Sequence, residues 1–229
     1  MIFTIIVPIY NEEKTLLSVL KNLNNLKFKN FKKEVILVDD GSTDGTKKIL
    51  QENKNLFDKL LTNPLSKGKG AAVKVALNNC NGDYVVFHDA DLEYEPEDLL
   101  RFEDIFVKFD ADGIIGSRFI YRHYTRSHNI LNKFGNSLIT TIFNLLYNTT
   151  FTDIFSCYFA FKRNLLNPVT LKKDGFEQHA ELLTKVIKKG SKFYEVPISY
   201  NGRSVEEGKK IKFYHIFPIL FQIIIGKFR

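Results

Sequence analysis

Short apolar runs alternate with segments of helical periodicity along the first 120 residues of the chain. The apolar runs predict strands at 2–7, 34–38, 60–62, 84–88 and 114–116. The segments between them predict helices at 12–26, 43–51, 69–79 and 96–109. This alternation indicates an α/β protein with a mostly parallel, Rossmann-like sheet and helices on both faces. Functional groups are therefore expected in the loops at the carboxyl ends of the strands.

The pattern changes after about residue 120. Residues 130–147 and 211–228 are rich in Leu, Ile and Phe and predict amphipathic helices, and the stretch between them predicts strands at 157–161 and 193–200 and a helix at 177–189. Neither amphipathic segment offers about 18 uninterrupted apolar residues, so helices lying in a membrane interface are favoured over transmembrane spans. Packing into the core, or contact between two copies of the chain, are the alternatives.

One domain is expected, because no repeat or linker divides the 229 residues and a hydrophobic content of 44% can supply one core. The net charge of +7 indicates an anionic partner, either a nucleotide, a nucleic acid, an acidic lipid surface or a phosphorylated acceptor. No reader motif of nucleic-acid-binding proteins is present, which argues against nucleic acid. Cys80 and Cys157 have no metal-like spacing, and the N-terminus does not resemble a signal peptide. A reducing, cytoplasmic location follows.

Three carboxylates stand at every second position directly after the apolar strand at 84–88: Asp89, Asp91 and Glu93. Side chains two apart on an extended chain point the same way, so these three can converge on one cation. Oxygen ligands of this kind suit Mg²⁺ or Mn²⁺. The sequence therefore predicts a divalent metal site at the end of this strand.

Three further loops are candidates for ligand binding. Residues 8–12 leave the first strand and residues 39–44 leave the second, so both lie at the same sheet edge. Asp39 or Asp40 can accept hydrogen bonds from a base or ribose, although such residues also form ordinary turns and helix caps. Residues 66–70, Ser-Lys-Gly-Lys-Gly, can offer backbone amides and ammonium groups to a phosphate. The Walker and Gly-x-Gly-x-x-Gly spacings are absent, which counts against a dinucleotide oxidoreductase.

Taken in order, the motifs resemble those of the family 2 glycosyltransferases of GT-A fold, nearest to the polyprenyl-phosphate sugar transferases of the dolichyl-phosphate mannose synthase type. The matching segments are 7–12, 38–45, 67–72, 89–93, 116–118, 152–153, 156–158, 195–198, Arg203 and 207–210. The chain departs from the mannose-transferring relatives at Glu93, where these tend to carry an amide.

The resemblance implies a role for each matching residue. The nucleoside would be held by Pro8, Tyr10, Glu12, Asp39 and Asp40, with Lys69 near the base or ribose. Asp89 and Asp91, with Glu93 beside them, would bind Mg²⁺ or Mn²⁺. The donor diphosphate and acceptor phosphate would be surrounded by Arg118, Arg126, Arg203 and Lys209 or Lys210. Asp153 is a candidate acid near the sugar, although Thr-Asp before a strand is also an ordinary turn. The catalytic set expected is thus Asp91, Arg118, Asp153 and Arg203.

The reaction implied is an inverting transfer of a sugar from a nucleotide sugar, of GDP-mannose or UDP-glucose type, to a polyprenyl phosphate. Residues 1–120 would form the nucleotide-sugar-binding half of one domain, 1–229, and residues 121–229 the half that faces acceptor and membrane. We expect a cytoplasmic protein peripheral to the membrane, with a homo-oligomer as an open possibility. The alternatives are transfer to a saccharide or another lipid acceptor, and a non-catalytic module that binds anionic ligands or membranes.

Overall fold

A computed structural model of the chain describes residues 1–120, 126, 130–203 and 216–228. Seven strands and seven α-helices are formed by these residues. The strands are β1 (Ile2–Ile9), β2 (Lys32–Asp39), β3 (Lys59–Thr62), β4 (Tyr84–Phe87), β5 (Gly113–Ser117), β6 (Phe159–Lys162) and β7 (Phe193–Pro197). The helices are α1 (Leu16–Asn25), α2 (Thr46–Glu52), α3 (Lys69–Asn79), α4 (Leu100–Phe109), α5 (Ile130–Tyr147), α6 (Glu177–Ile187) and α7 (Ile216–Phe228).

All seven strands form one sheet in the order β3-β2-β1-β4-β6-β5-β7. Every neighbouring pair is parallel except the two that involve β6, which runs antiparallel to β4 and β5. The carboxyl ends of β1, β2 and β4 therefore lie at one edge, and the segment that enters β6 lies at the same edge. The predicted α/β class and mostly parallel sheet are confirmed. The sheet takes β6 and β7 from the second half of the chain, while the division into two functional halves stays a prediction.

The central strands are buried on both faces, as expected of parallel strands covered by helices. In β1, Phe3, Ile5, Ile6 and Val7 are fully buried. Burial of one such side chain contributes roughly 1.5–3 kcal/mol, so these strands form a stiff base for the loops that follow them.

The helix bounds agree with the sequence prediction only in part: α4 begins at Leu100, after a 3-10 helix at Pro96–Leu99, and α6 ends at Ile187 instead of residue 189. Helices α3 and α5 begin and end where periodicity predicts, whereas α1 begins at Leu16 and α2 at Thr46. Asn11 and Ser42, which have the side chains of helix caps, do not cap these helices. Asn11 instead adopts a positive φ of 52°, and its backbone N–H donates to Ser42 Oγ at 3.0 Å. Asn11 and Ser42 therefore join the loops after β1 and β2 instead of capping a helix.

Helix α7 packs against α6 and α5. Ile219 and Ile223 are buried, and the Tyr147 hydroxyl of α5 donates to the Ile223 carbonyl at 2.9 Å. Other apolar side chains of both helices remain exposed: Phe134, Leu138 and Leu145 of α5, and Phe217, Phe221, Ile224 and Phe228 of α7. Within the part of the chain that the structure describes, no helix has the length and apolar content needed to cross a bilayer.

Candidate active site

The loops after β1 and β2 are fastened to each other by side-chain hydrogen bonds. Thr43 N–H donates to Asn11 Oδ1 at 2.8 Å, and Gly45 N–H donates to Glu13 Oε2 at 2.7 Å. Above them, Tyr10 is 40% exposed. These contacts join the two loops into one wall at the carboxyl edge of the sheet, with the partly exposed ring of Tyr10 beside it.

Asp39 and Asp40 lie at the base of this wall and are both buried. Asp39 Oδ1 accepts the Ser42 N–H at 2.9 Å. Asp40 accepts hydrogen bonds from four residues of the next loop: the Asn63 amide, the Ser66 hydroxyl and the N–H groups of Lys67 and Gly68. Asp40 thus holds residues 63–68 in place, whereas the sequence predicted that it would contact the nucleoside. That direct contact remains a prediction only.

The expected phosphate cradle at residues 66–70 is contradicted for three of its backbone amides, while the part that rests on the ammonium groups of Lys67 and Lys69 stays a prediction. Lys67 and Gly68 donate to Asp40, and Gly70 N–H donates to the Asp174 carbonyl at 2.7 Å. These donors are therefore already used inside the protein. Gly68 has a φ of +100°, and a Cβ there would lie 2.7 Å from the Asp174 oxygen, so the backbone conformation and the close approach both require glycine.

Lys69, the first residue of α3, reaches the end of β4 and forms an ion pair with Asp89. Burial acts to lower the pKa of Lys69, but Asp89 outweighs it and the pKa is raised. Conversely, burial acts to raise the pKa of Asp89, and Lys69 holds it below its ordinary value. The structure therefore places Lys69 beside a predicted metal ligand.

Arg203 is the centre of a second charged group. Its Nη2 lies 2.6 Å from Asp91 Oδ2, its Nε 3.2 Å from Glu93 Oε1 and its Nη1 3.7 Å from Glu12 Oε2. Glu93 also accepts the Arg203 backbone N–H at 2.8 Å and the Tyr200 hydroxyl at 2.9 Å. One guanidinium thus bridges carboxylates from the loops after β1 and β4.

The predicted metal ligands fit a divalent cation in part. Asp89 and Asp91 supply oxygen atoms, which Mg²⁺ and Mn²⁺ prefer. Burial raises the pKa of Asp91, and the negative charges of Asp89 and Glu93 raise it further, against Arg203. Such an excess of negative charge is what a divalent cation would compensate. Glu93 faces Tyr200 and Arg203 instead, and across 1–120, 126, 130–203 and 216–228 no three His, Cys, Asp or Glu side chains are grouped as metal ligands.

Arg118, directly after β5, is held by Asp153. Asp153 is fully buried and accepts from Arg118 Nε at 2.6 Å and Nη2 at 2.8 Å. The guanidinium also lies 5.0 Å from the centre of the Tyr200 ring. Both carboxylate oxygens of Asp153 are thus engaged by Arg118, in a position without access to solvent.

Sequence reasoning assigned no role to the residues that support this arrangement, although Glu195 lies in one of the matching segments. Glu195 of β7 accepts the N–H groups of Thr152 and Asp153 at 2.9 and 3.1 Å. Tyr94 accepts the Cys157 N–H at 3.2 Å, and Tyr200 links Glu93 to Arg118. Beyond its place in the matching segment 195–198, an acidic residue inside an otherwise apolar strand is the signal that points to a structural role for Glu195. The tyrosines look like ordinary core residues in the sequence.

The remaining predicted phosphate-binding residues lie further along the same edge or outside the described part. Arg126 is exposed; its N–H donates to the Tyr200 carbonyl at 3.0 Å, and its guanidinium to the Gly202 carbonyl at 3.2 Å. It therefore adjoins the segment that carries Arg203. Pro8 is at the carboxyl end of β1, paired with Val38. Lys209 and Lys210 fall outside the described residues.

A cavity of about 310 Å³ lies between α5, Phe119 and the segment that precedes β6. Its α5 wall is polar and consists of Lys133, Ser137, Thr140, Thr141 and Asn144. Phe119 and Thr152 belong to the opposite side. Thr140 is buried, and its hydroxyl has no hydrogen-bond partner among the described residues. The cavity can accept a hydroxylated or anionic group.

A family model for glycosyl transferase family 2 matches residues 4–169. The chain therefore belongs to this family, and the class predicted from its motifs is confirmed. It is 32% identical over 200 residues to glycosyltransferase AglJ of Haloferax volcanii, a match that covers 87% of the chain and 63% of that protein. It is 29% identical over 245 residues to the UDP-N-acetylglucosamine–dolichyl-phosphate N-acetylglucosaminyltransferase of Methanococcus voltae, over 97% of the chain and 96% of that protein.

Solved structures support the fold. Glucosyl-3-phosphoglycerate synthase from Mycobacterium tuberculosis, crystallised with Mn²⁺, UDP-glucose and phosphoglyceric acid, superposes with a TM-score of 0.71 at 19% identity. The match covers 98% of the chain and 78% of that protein. The GT-A fold predicted from the sequence is confirmed by this likeness.

Proposed function

We propose that the chain transfers a hexose from a nucleoside-diphosphate sugar to a polyprenyl phosphate, with inversion at the anomeric carbon. The observation that carries the proposal is the meeting of the Asp89–Asp91 carboxylates with the Arg118 and Arg203 guanidinium groups at one edge of the sheet. A reaction between two anionic substrates requires both a cation site for the leaving group and fixed positive charge for the attacking group. The name of the Methanococcus voltae relative supports this acceptor class.

The donor nucleoside is assigned to the cleft beside the loops after β1 and β2. Tyr10 would offer its partly exposed ring to the base, and Asp39, whose Oδ1 accepts the Ser42 N–H, would offer Oδ2. Pro8 and Glu12 complete this wall. Asp40 acts indirectly, because it fixes the loop at residues 63–68 that borders the cleft.

Asp89 and Asp91 would hold the divalent cation, Mg²⁺ or Mn²⁺. When bound, the cation supplies Lewis-acid stabilisation of the departing nucleoside diphosphate. Lys69 stands beside Asp89 and adds positive charge to the same region. Loss of Asp91 would therefore affect the chemical step itself.

The acceptor needs no strong base in this site. A phosphate monoester has a second pKa of about 6, so its attacking oxygen is already largely ionised at neutral pH. That oxygen would attack the anomeric carbon as the bond to the diphosphate oxygen breaks, and the nucleoside diphosphate leaves with the electron pair. Arg118 and Arg203 would balance the two anions. Asp153 orients Arg118 through both of its oxygens and is assigned no proton transfer.

The polyprenyl chain is assigned to the outer surface of α5 and α7. The polar wall of the cavity and the exposed stripe of Phe134, Leu138 and Leu145 are neighbouring faces of α5. An anionic head group in the cavity would thus leave its apolar tail beside exposed apolar side chains. We assign the same surface to peripheral contact with a membrane from its cytoplasmic side.

The test is to incubate the purified protein with Mn²⁺, a short polyprenyl phosphate and a panel of UDP- and GDP-sugars, and to measure released nucleoside diphosphate and glycolipid. We expect one donor to give both products, and the Asp91→Asn variant to give neither. Release that requires a saccharide instead of the lipid phosphate would support the alternative acceptor class. If none of the nucleotide sugars gives nucleoside diphosphate release, the assignment is overturned.

A further inference from the structure

We infer that Arg203 is an internal counter-cation of the donor site, tethered by Glu93, and that its guanidinium and a divalent cation bind Asp91 in exchange. Glu93 is accordingly a positioning residue that acts through Arg203. The nucleotide-dependent part of this inference rests on the proposed function, whereas the part that concerns the metal alone does not.

The contacts of Asp91 are the first step. Its Oδ2 is 2.6 Å from Arg203 Nη2, and its Oδ1 accepts the Glu93 N–H at 3.1 Å. Both oxygens therefore have donors within the protein. A divalent cation that binds Asp91 through Oδ2 would compete with the guanidinium for that oxygen.

Charge explains why the two cations exclude each other. Glu12, Asp91 and Glu93 all approach the one guanidinium, which is 23% exposed. With Arg203 in place, much of the negative charge that would attract a metal is already balanced. A second cation within a few ångströms of the guanidinium, in a site sheltered from water, would be strongly repelled.

Glu93 holds the backbone of the 200–203 segment as well as the guanidinium, whose Nε lies 3.2 Å from Glu93 Oε1. Glu93 accepts the backbone N–H of Arg203 and the hydroxyl of Tyr200, and the Glu93 carbonyl accepts the Asn201 N–H at 2.9 Å. These bonds hold the 200–203 segment without the help of the charged side-chain end. The guanidinium can therefore leave Asp91 while its backbone stays beside the site.

Exchange couples metal to nucleotide. Once released from Asp91, the guanidinium is free to pair with an anion, and a bound diphosphate supplies one. Metal affinity should accordingly be low for the protein alone and should rise when a nucleoside diphosphate is present, which is a positive coupling between two ligands.

The experiment measures Mn²⁺ binding directly, from the loss of the free-Mn²⁺ electron paramagnetic resonance signal, on the full chain without nucleotide. The Arg203→Gln variant should bind Mn²⁺ about tenfold more tightly than the parent, because the competing cation is gone. Equal or weaker binding would overturn the exchange. Arg163→Gln, which removes an arginine whose Nε donates to the Gly82 carbonyl at the other end of the sheet, is the matched control and should leave the affinity unchanged.

Glu93→Gln tests the tether and guards against a poorly folded Arg203 variant. If Glu93 positions Arg203, the amide loosens the guanidinium and Mn²⁺ affinity rises by a few-fold; if Glu93 is itself a ligand, the affinity falls and the inference is overturned. Thermal unfolding of each variant establishes that it is folded. Titrations repeated with UDP and with GDP should show a larger nucleotide-dependent gain in the parent than in Arg203→Gln. If neither nucleotide binds, the proposed function fails while the metal-only comparison still decides the exchange.

Discussion

Asp153 and Arg118 form a two-pronged ion pair, with Oδ2 to Nε at 2.6 Å and Oδ1 to Nη2 at 2.8 Å. Because Asp153 is fully buried, removal of its charge leaves a guanidinium without its partner. We expect Asp153→Ala to lower the free energy of unfolding by about 3–5 kcal/mol, measured by urea denaturation. Asp174→Ala breaks the exposed pair with Lys74 and should cost less than about 1 kcal/mol. Similar losses in both variants would contradict a supporting role for Asp153.

Removal of the divalent cation should stop the reaction. With EDTA the rate of nucleoside diphosphate release should fall roughly 100-fold or more, since a bound metal contributes several kcal/mol to the transition state. Added Mn²⁺ or Mg²⁺ should restore it in the parent chain but not in Asp89→Asn. Full activity in EDTA would show that the carboxylates have another purpose.

Asp40 should matter for nucleotide binding through the loop that it holds. Asp40→Ala leaves the N–H groups of Lys67 and Gly68 without their acceptor, at a cost of roughly 1–3 kcal/mol. We expect lower stability together with a raised KM for the donor. Asp40→Asn keeps one acceptor oxygen, so its stability should fall less and its KM for the donor should rise less than in Asp40→Ala. A change in KM with stability unaltered would instead indicate direct contact with the nucleoside.

His179 should make the protein sensitive to acid. Its Nε2–H donates to the Ile154 carbonyl at 3.0 Å. Burial, more than the nearby Lys69, lowers its pKa from 6.5 to about 4, against opposing effects of Asp89 and Asp153. Between pH 6.5 and about 4, His179 is protonated in the unfolded chain but neutral in the folded one. The free energy of unfolding therefore falls as the pH drops through this window.

The loss attributable to His179 is at most about 3 kcal/mol. His179→Gln retains an N–H donor but does not titrate, so its unfolding free energy should depend less on pH over that window. Equal pH dependence in the two proteins, measured by chemical denaturation, would show that other groups dominate acid unfolding.

The exposed stripe of α7 should govern contact with lipid. Phe217, Phe221, Ile224 and Phe228 recur at intervals of a helical turn and are all exposed. We expect Phe221→Glu to reduce co-sedimentation with anionic lipid vesicles about tenfold, because it removes one aromatic ring that would be buried in the lipid on binding. Val169→Glu alters an exposed apolar residue elsewhere and should have no effect. If both variants bind vesicles like the parent, α7 does not face the membrane.

The sheet could be predicted closely because burial imposes a simple pattern. A strand such as β1 needs apolar residues at nearly every position, and α5 has a helical periodicity of apolar residues over its whole length. Asn11 and Ser42 have short polar side chains, which suit a helix cap and a loop-to-loop hydrogen bond equally well, and in the structure they form the latter. The sequence does not say which partner lies nearby.

The site was predictable only where chemistry is local. Asp89 and Asp91 follow one strand, so their proximity needs no tertiary information. The partners of Glu93 lie 107 and 110 positions further along the chain, and the partner of Asp153 lies 35 positions before it. Such pairings depend on strand order. The reversed direction of β6 is the particular fact that the apolar pattern does not contain.

The reversed direction of β6 means that residues 118–158, which include Arg118, leave and re-enter the sheet at neighbouring strands. The chain leaves β5 at Ser117 and returns in β6 at Phe159, and the two strands pair with each other, Gly113 opposite Phe161. Residues 118–158 thus form an excursion whose two ends are anchored side by side, as in a long hairpin. The register of β5 and β6 is set by their own pairing, from Gly113 opposite Phe161 to Ile115 opposite Phe159, and not by the length of the chain between them. In the proposed function, a chimaera that exchanges this excursion would alter acceptor choice while keeping the donor machinery of its host.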